Sequence, residues 1–203
     1  MPEDEKTETG LPPVSDSVPQ MGNAFTRTLG RLLLRCVGWR IQGALPPNPR
    51  AVFAAAPHTS NWDFILAMFV ILALGVRVSF LMKKEAFFWP FASLFKSLGG
   101  VPLDRSATGG VVEQAVEEFA KRKSFWLVIT PEGTRSRVAR WKTGFLRVAY
   151  DSGVPVILVA WDYPSRTFHI DRVWQATSDH SADAEILREQ VNNQYRARHP
   201  ERQ

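Results

Sequence analysis

Ala51-Val-Phe-Ala-Ala-Ala56, then Pro57-His-Thr-Ser-Asn-Trp-Asp63, then an apolar run from Phe64 to Leu74 closed by Gly75: the reading of this stretch decides the fold class. Residues 51–56 are continuously apolar, with Pro46, Pro47 and Pro49 before them and Pro57 after, which is the pattern of a strand buried on both faces. Asn61 offers a capping side chain, so residues 62–74 read as a long apolar helix stopped by Gly75. Working outward, residues 76–82, 125–129 and 154–161 read as further buried strands, and 99–103 as extended chain. Residues 111–123 form a helix with Val112, Ala115, Val116 and Phe119 on one face, and 146–152 and 184–196 are shorter or more polar helices. Strands alternating with helices predict a single α/β domain with a mainly parallel central sheet flanked by helices. Sites in such sheets gather in the loops at strand ends. There is no internal repeat.

The flanks read differently. Residues 1–22 are rich in Glu, Thr, Ser and Pro without an apolar period, the composition of a disordered tail, so the domain is expected to run from 23 to 203. Residues 23–40 predict an amphipathic helix: Phe25, Leu29, Leu32, Leu33 and Cys36 share one arc, Arg27, Arg31 and Arg35 another, and Leu34 is the exception. It either docks on the core with its basic face solvated, or lies in a membrane interface with its arginines on anionic headgroups. The aromatic run Phe87-Phe-Trp-Pro-Phe91, with Lys83, Lys84 and Lys96 nearby, is either ordinary packing, or an interfacial patch or the mouth of an acyl tunnel.

With 203 residues, 45% hydrophobic and 22% charged, neither wholesale disorder nor a polytopic membrane protein is expected. Seven Trp and thirteen Phe suit an apolar core or a boundary between lipid and water. A net charge of +5 favours anionic partners: nucleic acid, anionic lipid or a phosphorylated substrate. The single cysteine, Cys36, excludes a disulfide or a multi-thiolate metal site within one chain and suits a reducing, cytosol-facing compartment. The acidic start Pro2-Glu-Asp-Glu5 does not resemble a secretory signal. The longest uncharged stretch, 64–76, has thirteen residues, whereas a bilayer-crossing helix needs about 20.

His58 and Asp63 carry the chemistry. On a continuous helix their spacing would set them about 140° apart, so they can meet only if His58 lies in the loop and Asp63 in the first helical turn, where the dipole favours a carboxylate. An imidazole with one nitrogen held by a carboxylate keeps the other as a base for an attacking alcohol. Ser60 is placed to cap the turn, and no Gly-x-Ser-x-Gly elbow occurs, so direct transfer without an acyl-enzyme is the expected mechanism. Gly100-Val-Pro-Leu-Asp-Arg105 and Pro131-Glu-Gly-Thr-Arg-Ser136 each set an arginine near a strand end, where a planar fork binds phosphate or carboxylate. His169, His180 and His199 stand alone as solvated or structural residues, and no ligand spacing points to zinc.

These segments together resemble the glycerolphosphate and lysophosphatidate acyltransferases of phospholipid synthesis. The His-x-x-x-x-Asp motif of that family matches His58 to Asp63, its second motif Gly100 to Arg105, its third Pro131 to Ser136, and its fourth Val154-Pro-Val-Ile-Leu158, in order across residues 50–162. The resemblance implies that His58 is the base and Asp63 its partner. It implies that Arg105, Glu132, Gly133, Thr134 and Arg135 surround the acceptor's phosphate, with Lys142 and Gly144 matching a further Lys-x-Gly. It implies an acyl donor that is a thioester of coenzyme A or acyl carrier protein, a lyso-lipid acceptor, no metal or other cofactor, no nucleic acid, and peripheral attachment to the cytoplasmic face of an anionic membrane. Pro57 stands where many members have Asn, and Leu158 where a second proline is common. Trp62 and Trp161-Asp-Tyr163 set the chain apart from the usual pattern and leave the acceptor open. The competing readings are a thioesterase or lipase using the same base on water, and a non-catalytic basic module for membranes or nucleic acid.

Overall fold

The computed structural model describes residues 11–84, 99–103 and 110–203. The aromatic run 87–91 and Arg105 lie outside the described residues. Seven strands form one sheet in the order β1-β7-β6-β2-β5-β3-β4, with β1 Arg40–Gly43, β2 Arg50–Ala55, β3 Ser79–Lys83, β4 Gly100–Leu103, β5 Phe125–Ile129, β6 Val156–Asp162 and β7 Thr167–Trp174. Every neighbouring pair is parallel except β6 and β7. The expected α/β architecture with a mainly parallel sheet is therefore what the chain adopts.

Why β2 sits in the middle follows from its side chains. Successive residues point to opposite faces, and all of Ala51 to Ala56 are buried. Val52, Ala54 and Ala56 pack with Phe119, Leu146, Leu187 and Val191, whereas Ala51, Phe53 and Ala55 pack with Leu34, Leu66, Val70 and Trp126. Two helical layers thus sandwich the sheet. One contains α3 (Gly110–Lys121), α4 (Gly144–Ser152) and α5 (His180–Gln194); the other contains α1 (Ala24–Cys36) and α2 (Asn61–Leu74).

Several sequence expectations shift. Residues 11–22 are not a loose tail: Val18 is buried, Met21 N–H donates to Gly75 O at 2.8 Å and Arg77 N–H to Pro19 O at 2.8 Å. Composition hides this because the stretch is held by backbone pairing with the turn after α2 rather than by an apolar period. β7 went unread, although Thr167-Phe-His-Ile alternates polar and apolar. It pairs antiparallel with β6 because the turn is too short for a crossover: Arg166 N–H donates to Tyr163 O at 3.2 Å, and Ser165 N–H to the Asp162 carboxylate at 3.2 Å. α5 starts at the cap Asp179, earlier than expected, and buries Ala184, Leu187 and Val191.

The largest surprise is the orientation of α1. Asn23 caps it, its side chain accepting from Thr26 N–H at 3.1 Å. Of the predicted arc, Phe25 is 74% exposed and Leu32 56% exposed, while the buried residues are Gly30 and the exceptional Leu34. Gly30 decides this: a Cβ there would lie 2.4 Å from the backbone nitrogen of Ala73, so α1 meets α2 through its glycine and turns the apolar arc outward. The reading in which this arc docks on the core is overturned.

Candidate active site

Three adjacent strands end side by side, and the loop after each contributes to one cluster. His58 follows β2, Glu132 follows β5 and Tyr163 follows β6. The helix after β2 begins one residue earlier than expected, at Asn61, and is capped by Ser60 rather than Asn61. Ser60 Oγ accepts from Trp62 N–H at 3.2 Å, and Asp63 answers as the third helical residue of the capping box.

Asp63 is fully buried, and its four contacts are the frame of the site. Oδ2 accepts from the amides of Thr59 at 2.9 Å and Ser60 at 2.8 Å, and lies 3.2 Å from His58 Nδ1. Oδ1 accepts from the Tyr163 hydroxyl at 2.5 Å. The imidazole and the carboxylate are in polar contact, although Nδ1 makes no well-formed hydrogen bond. The loop fold-back inferred from the spacing is thus present. With Nδ1 turned to Asp63, Nε2 is the nitrogen left to exchange a proton, on a side chain that is 15% exposed and lines a cavity.

That cavity measures about 820 Å³, within the range of roughly 300–1,000 Å³ usual for small-molecule sites. Its walls are mostly apolar: Phe64, Ala67, Met68 and Ile71 of α2, Phe80 and Leu81 of β3, Val112 of α3 and Phe145 and Val148 of α4. Gly133, Arg135 and Lys142 also line it, the two cations interrupting the apolar wall. Gly133 has a φ of +64°, and a Cβ there would meet Lys142 Nζ at 2.8 Å, so the absent side chain is what lets the lysine lie across the loop. The Lys142 amide closes the same loop by donating to Pro131 O at 2.9 Å.

Glu132 and Thr134 are placed differently from the rest of their motif. Glu132 does not line the cavity; its Oε1 accepts from His58 N–H at 2.9 Å and so anchors the histidine backbone. Burial raises its carboxyl above the ordinary glutamate range, against the lowering effect of that hydrogen bond and of the nearby imidazole. Thr134 is exposed and accepts from Ser136 N–H at 3.3 Å. His169 stacks on Tyr195 at 4.8 Å, and burial lowers its pKa; the His199 imidazole pairs with Glu201 at 3.4 Å.

The sequence reading missed three supports. Trp161 lines the cavity with its ring 6.3 Å from the His58 ring, and its indole N–H has no acceptor among the described residues. Tyr163 reaches Asp63 across a hundred positions of chain, visible beforehand only as part of an unusual Trp161-Asp-Tyr163. The C-terminal stretch, which carried no signal, crosses behind the site: His199 N–H donates to Thr59 Oγ1 at 3.3 Å, and Arg198 lies 5.3 Å from the Trp62 ring centre.

A mainly parallel sheet with a His58–Asp63 pair at its strand ends, beside a largely apolar cavity, defines an α/β protein with a cleft suited to an apolar ligand. The family model described as Acyltransferase matches residues 39–161, more than half of the chain, and the chain belongs to that family. Among curated relatives, the 1-acyl-sn-glycerol-3-phosphate acyltransferase of Cocos nucifera is 31% identical over 147 residues, 68% of this chain and 46% of the relative. The protein of the same name from Escherichia coli is 32% identical over 126 residues, 58% of this chain and 49% of the relative. The chain spans about half the length of these relatives. The crystal structure of the 1-acyl-sn-glycerophosphate (LPA) acyltransferase PlsC from Thermotoga maritima shares the fold, with a TM-score of 0.56 at 19% identity over 82% of this chain and 75% of that one.

Proposed function

We propose that this chain transfers a fatty acyl group from a thioester, of coenzyme A or of acyl carrier protein, to the free hydroxyl of lysophosphatidate or a closely related lyso-lipid. His58 Nε2 takes the hydroxyl proton as the oxygen attacks the thioester carbonyl carbon; the carbon–sulfur bond breaks, and the thiolate leaves with that proton returned by the imidazolium. Asp63 orients the ring and balances its charge. The observation that carries the reading is the His58–Asp63 pair in a cavity whose walls are mostly apolar but include Arg135 and Lys142. An acyl chain fits the apolar wall and an anionic headgroup the two cations.

The reaction is proposed to run at a membrane surface to which the chain attaches peripherally. Among the described residues no helix is long and apolar enough to cross a bilayer. α1 presents Phe25, Leu29 and Leu32 outward, with Arg35 exposed beside them. Phe64 of α2 is 49% exposed and also lines the cavity, so outward-facing apolar surface continues into the site, and a lipid leaflet is the occupant that suits both.

Purified protein given lysophosphatidate in mixed vesicles, with acyl-coenzyme A or acyl carrier protein thioester, is expected to form phosphatidate. His58→Ala is expected to lower the rate by about 10²–10⁴-fold while melting at an unchanged temperature. Full activity in that variant overturns the assignment of the base. Release of free fatty acid at the full rate without any acceptor replaces transfer by hydrolysis.

A further inference from the structure

We infer that Tyr163 is a positioning residue for the proposed reaction, holding the Asp63 carboxylate in the rotation that serves His58; the inference rests on the transferase reading above. The two oxygens of Asp63 have unequal surroundings. Oδ2 is shared by the Thr59 and Ser60 amides and faces His58 Nδ1, whereas among the described residues the one donor to Oδ1 is the Tyr163 hydroxyl, at 2.5 Å. The terminal torsion of an aspartate is soft and close to two-fold. Without a donor at Oδ1 nothing on that side opposes rotation, and a fully buried carboxylate oxygen is left unpaired.

Tyr163 is itself built in place. Its backbone N–H donates to Arg196 O at 3.0 Å, the Arg196 amide donates to the Asp162 carboxylate at 3.0 Å, and its ring meets the Trp39 ring edge-on at 5.0 Å. The C-terminal segment, β1 side and β6–β7 turn therefore converge on one phenol. Burial, followed by the Asp63 contact, raises the phenol's pKa, so the group remains an O–H donor throughout any working pH. The hydroxyl does not line the cavity as part of the described wall, and it acts through Asp63 rather than on substrate.

Tyr163→Phe keeps the ring against Trp39 and deletes only the donor. It is expected to lower kcat about tenfold to a hundredfold, the worth of a hydrogen bond to a charged group, with KM for both substrates unchanged. In the free protein, the His58 Nδ1–H resonance, assigned by its absence in Asp63→Asn, is expected to broaden or vanish in Tyr163→Phe. That readout needs no substrate, so it tests Tyr163 even if the acyl acceptor or the reaction class proves wrong. If Tyr163→Phe folds, keeps kcat, and keeps the Nδ1–H signal, Tyr163 is only a structural residue and the inference is overturned. If Tyr163→Phe does not fold, p-aminophenylalanine in place of Tyr163, which retains the ring, its reach and a donor, must keep the signal; loss of the signal in that folded protein also overturns it.

Discussion

The two helical layers on either side of the sheet handle hydrophobic side chains in opposite ways. The α3, α4 and α5 layer is the more closed: Phe119, Phe145, Leu146, Leu187 and Val191 all lie against the sheet with almost no exposed surface, while Val111, Tyr150 and Ile186 face outward singly. The α1 and α2 layer is open. It buries Leu34, Leu66 and Val70 inward but leaves Phe25, Leu32, Trp62, Phe64 and Ile65 exposed. Closed apolar surface stabilises the fold directly; open apolar surface contributes nothing in water and is useful only where another apolar phase covers it. The site lies between the two, its cavity lined by α2 of the open side and by α3 and α4 of the closed side.

The contrast is sharpest if each layer is weakened in turn. Leu187→Ala, deep in the closed layer, is expected to cost about 2–5 kcal/mol of stability, read as a lower denaturant midpoint at unchanged slope. A loss no larger than that of a surface substitution would mean the layer is looser than its packing indicates. The paired change Phe25→Ala and Leu32→Ala in the open layer should move stability by only about 0.5 kcal/mol or less. Co-sedimentation with anionic vesicles should nonetheless fall tenfold or more, since a fully buried side chain of this kind is worth about 1.5–3 kcal/mol. Equal binding by the variant would remove the open layer's proposed partner.

The smallest effect concerns Glu132, in the loop after β5 that anchors the His58 backbone. Burial raises the carboxyl of Glu132, so its favourable contribution is present below the ordinary glutamate value of 4.5 and is lost as pH rises through its higher folded value. Glu132→Gln does not titrate and keeps an acceptor for the His58 amide. Relative to the wild type it should therefore gain in melting temperature from acid toward neutral pH. Parallel melting curves across that range would show that the Glu132 carboxyl does not carry the expected burial cost.

Much of this was legible in the residues. β5 was read to the residue, and β2 and α2 nearly so, because a continuous apolar run between prolines, or before a glycine, has few alternatives. The His58–Asp63 meeting was also legible, since a five-residue spacing admits contact only across a turn. β7 was hidden because half of its alternating pattern is charged or polar, and residues 11–22 because their order comes from backbone pairing that leaves no periodic trace. Glu132 was read with its motif as facing a ligand, yet which way a loop glutamate turns depends on the neighbouring strand.

The sequence by itself determined the α/β class, the strand-end location of the candidate site and its pairing of imidazole with carboxylate, all of which follow from local periodicity and short-range geometry. Tertiary structure alone decided which face of α1 turns outward, through the close approach at Gly30, and which distant hydroxyl completes Asp63, through the antiparallel return of β7 and the C-terminal crossing behind Tyr163. Contacts separated by a hundred residues depend on how elements pack, and no local pattern encodes them.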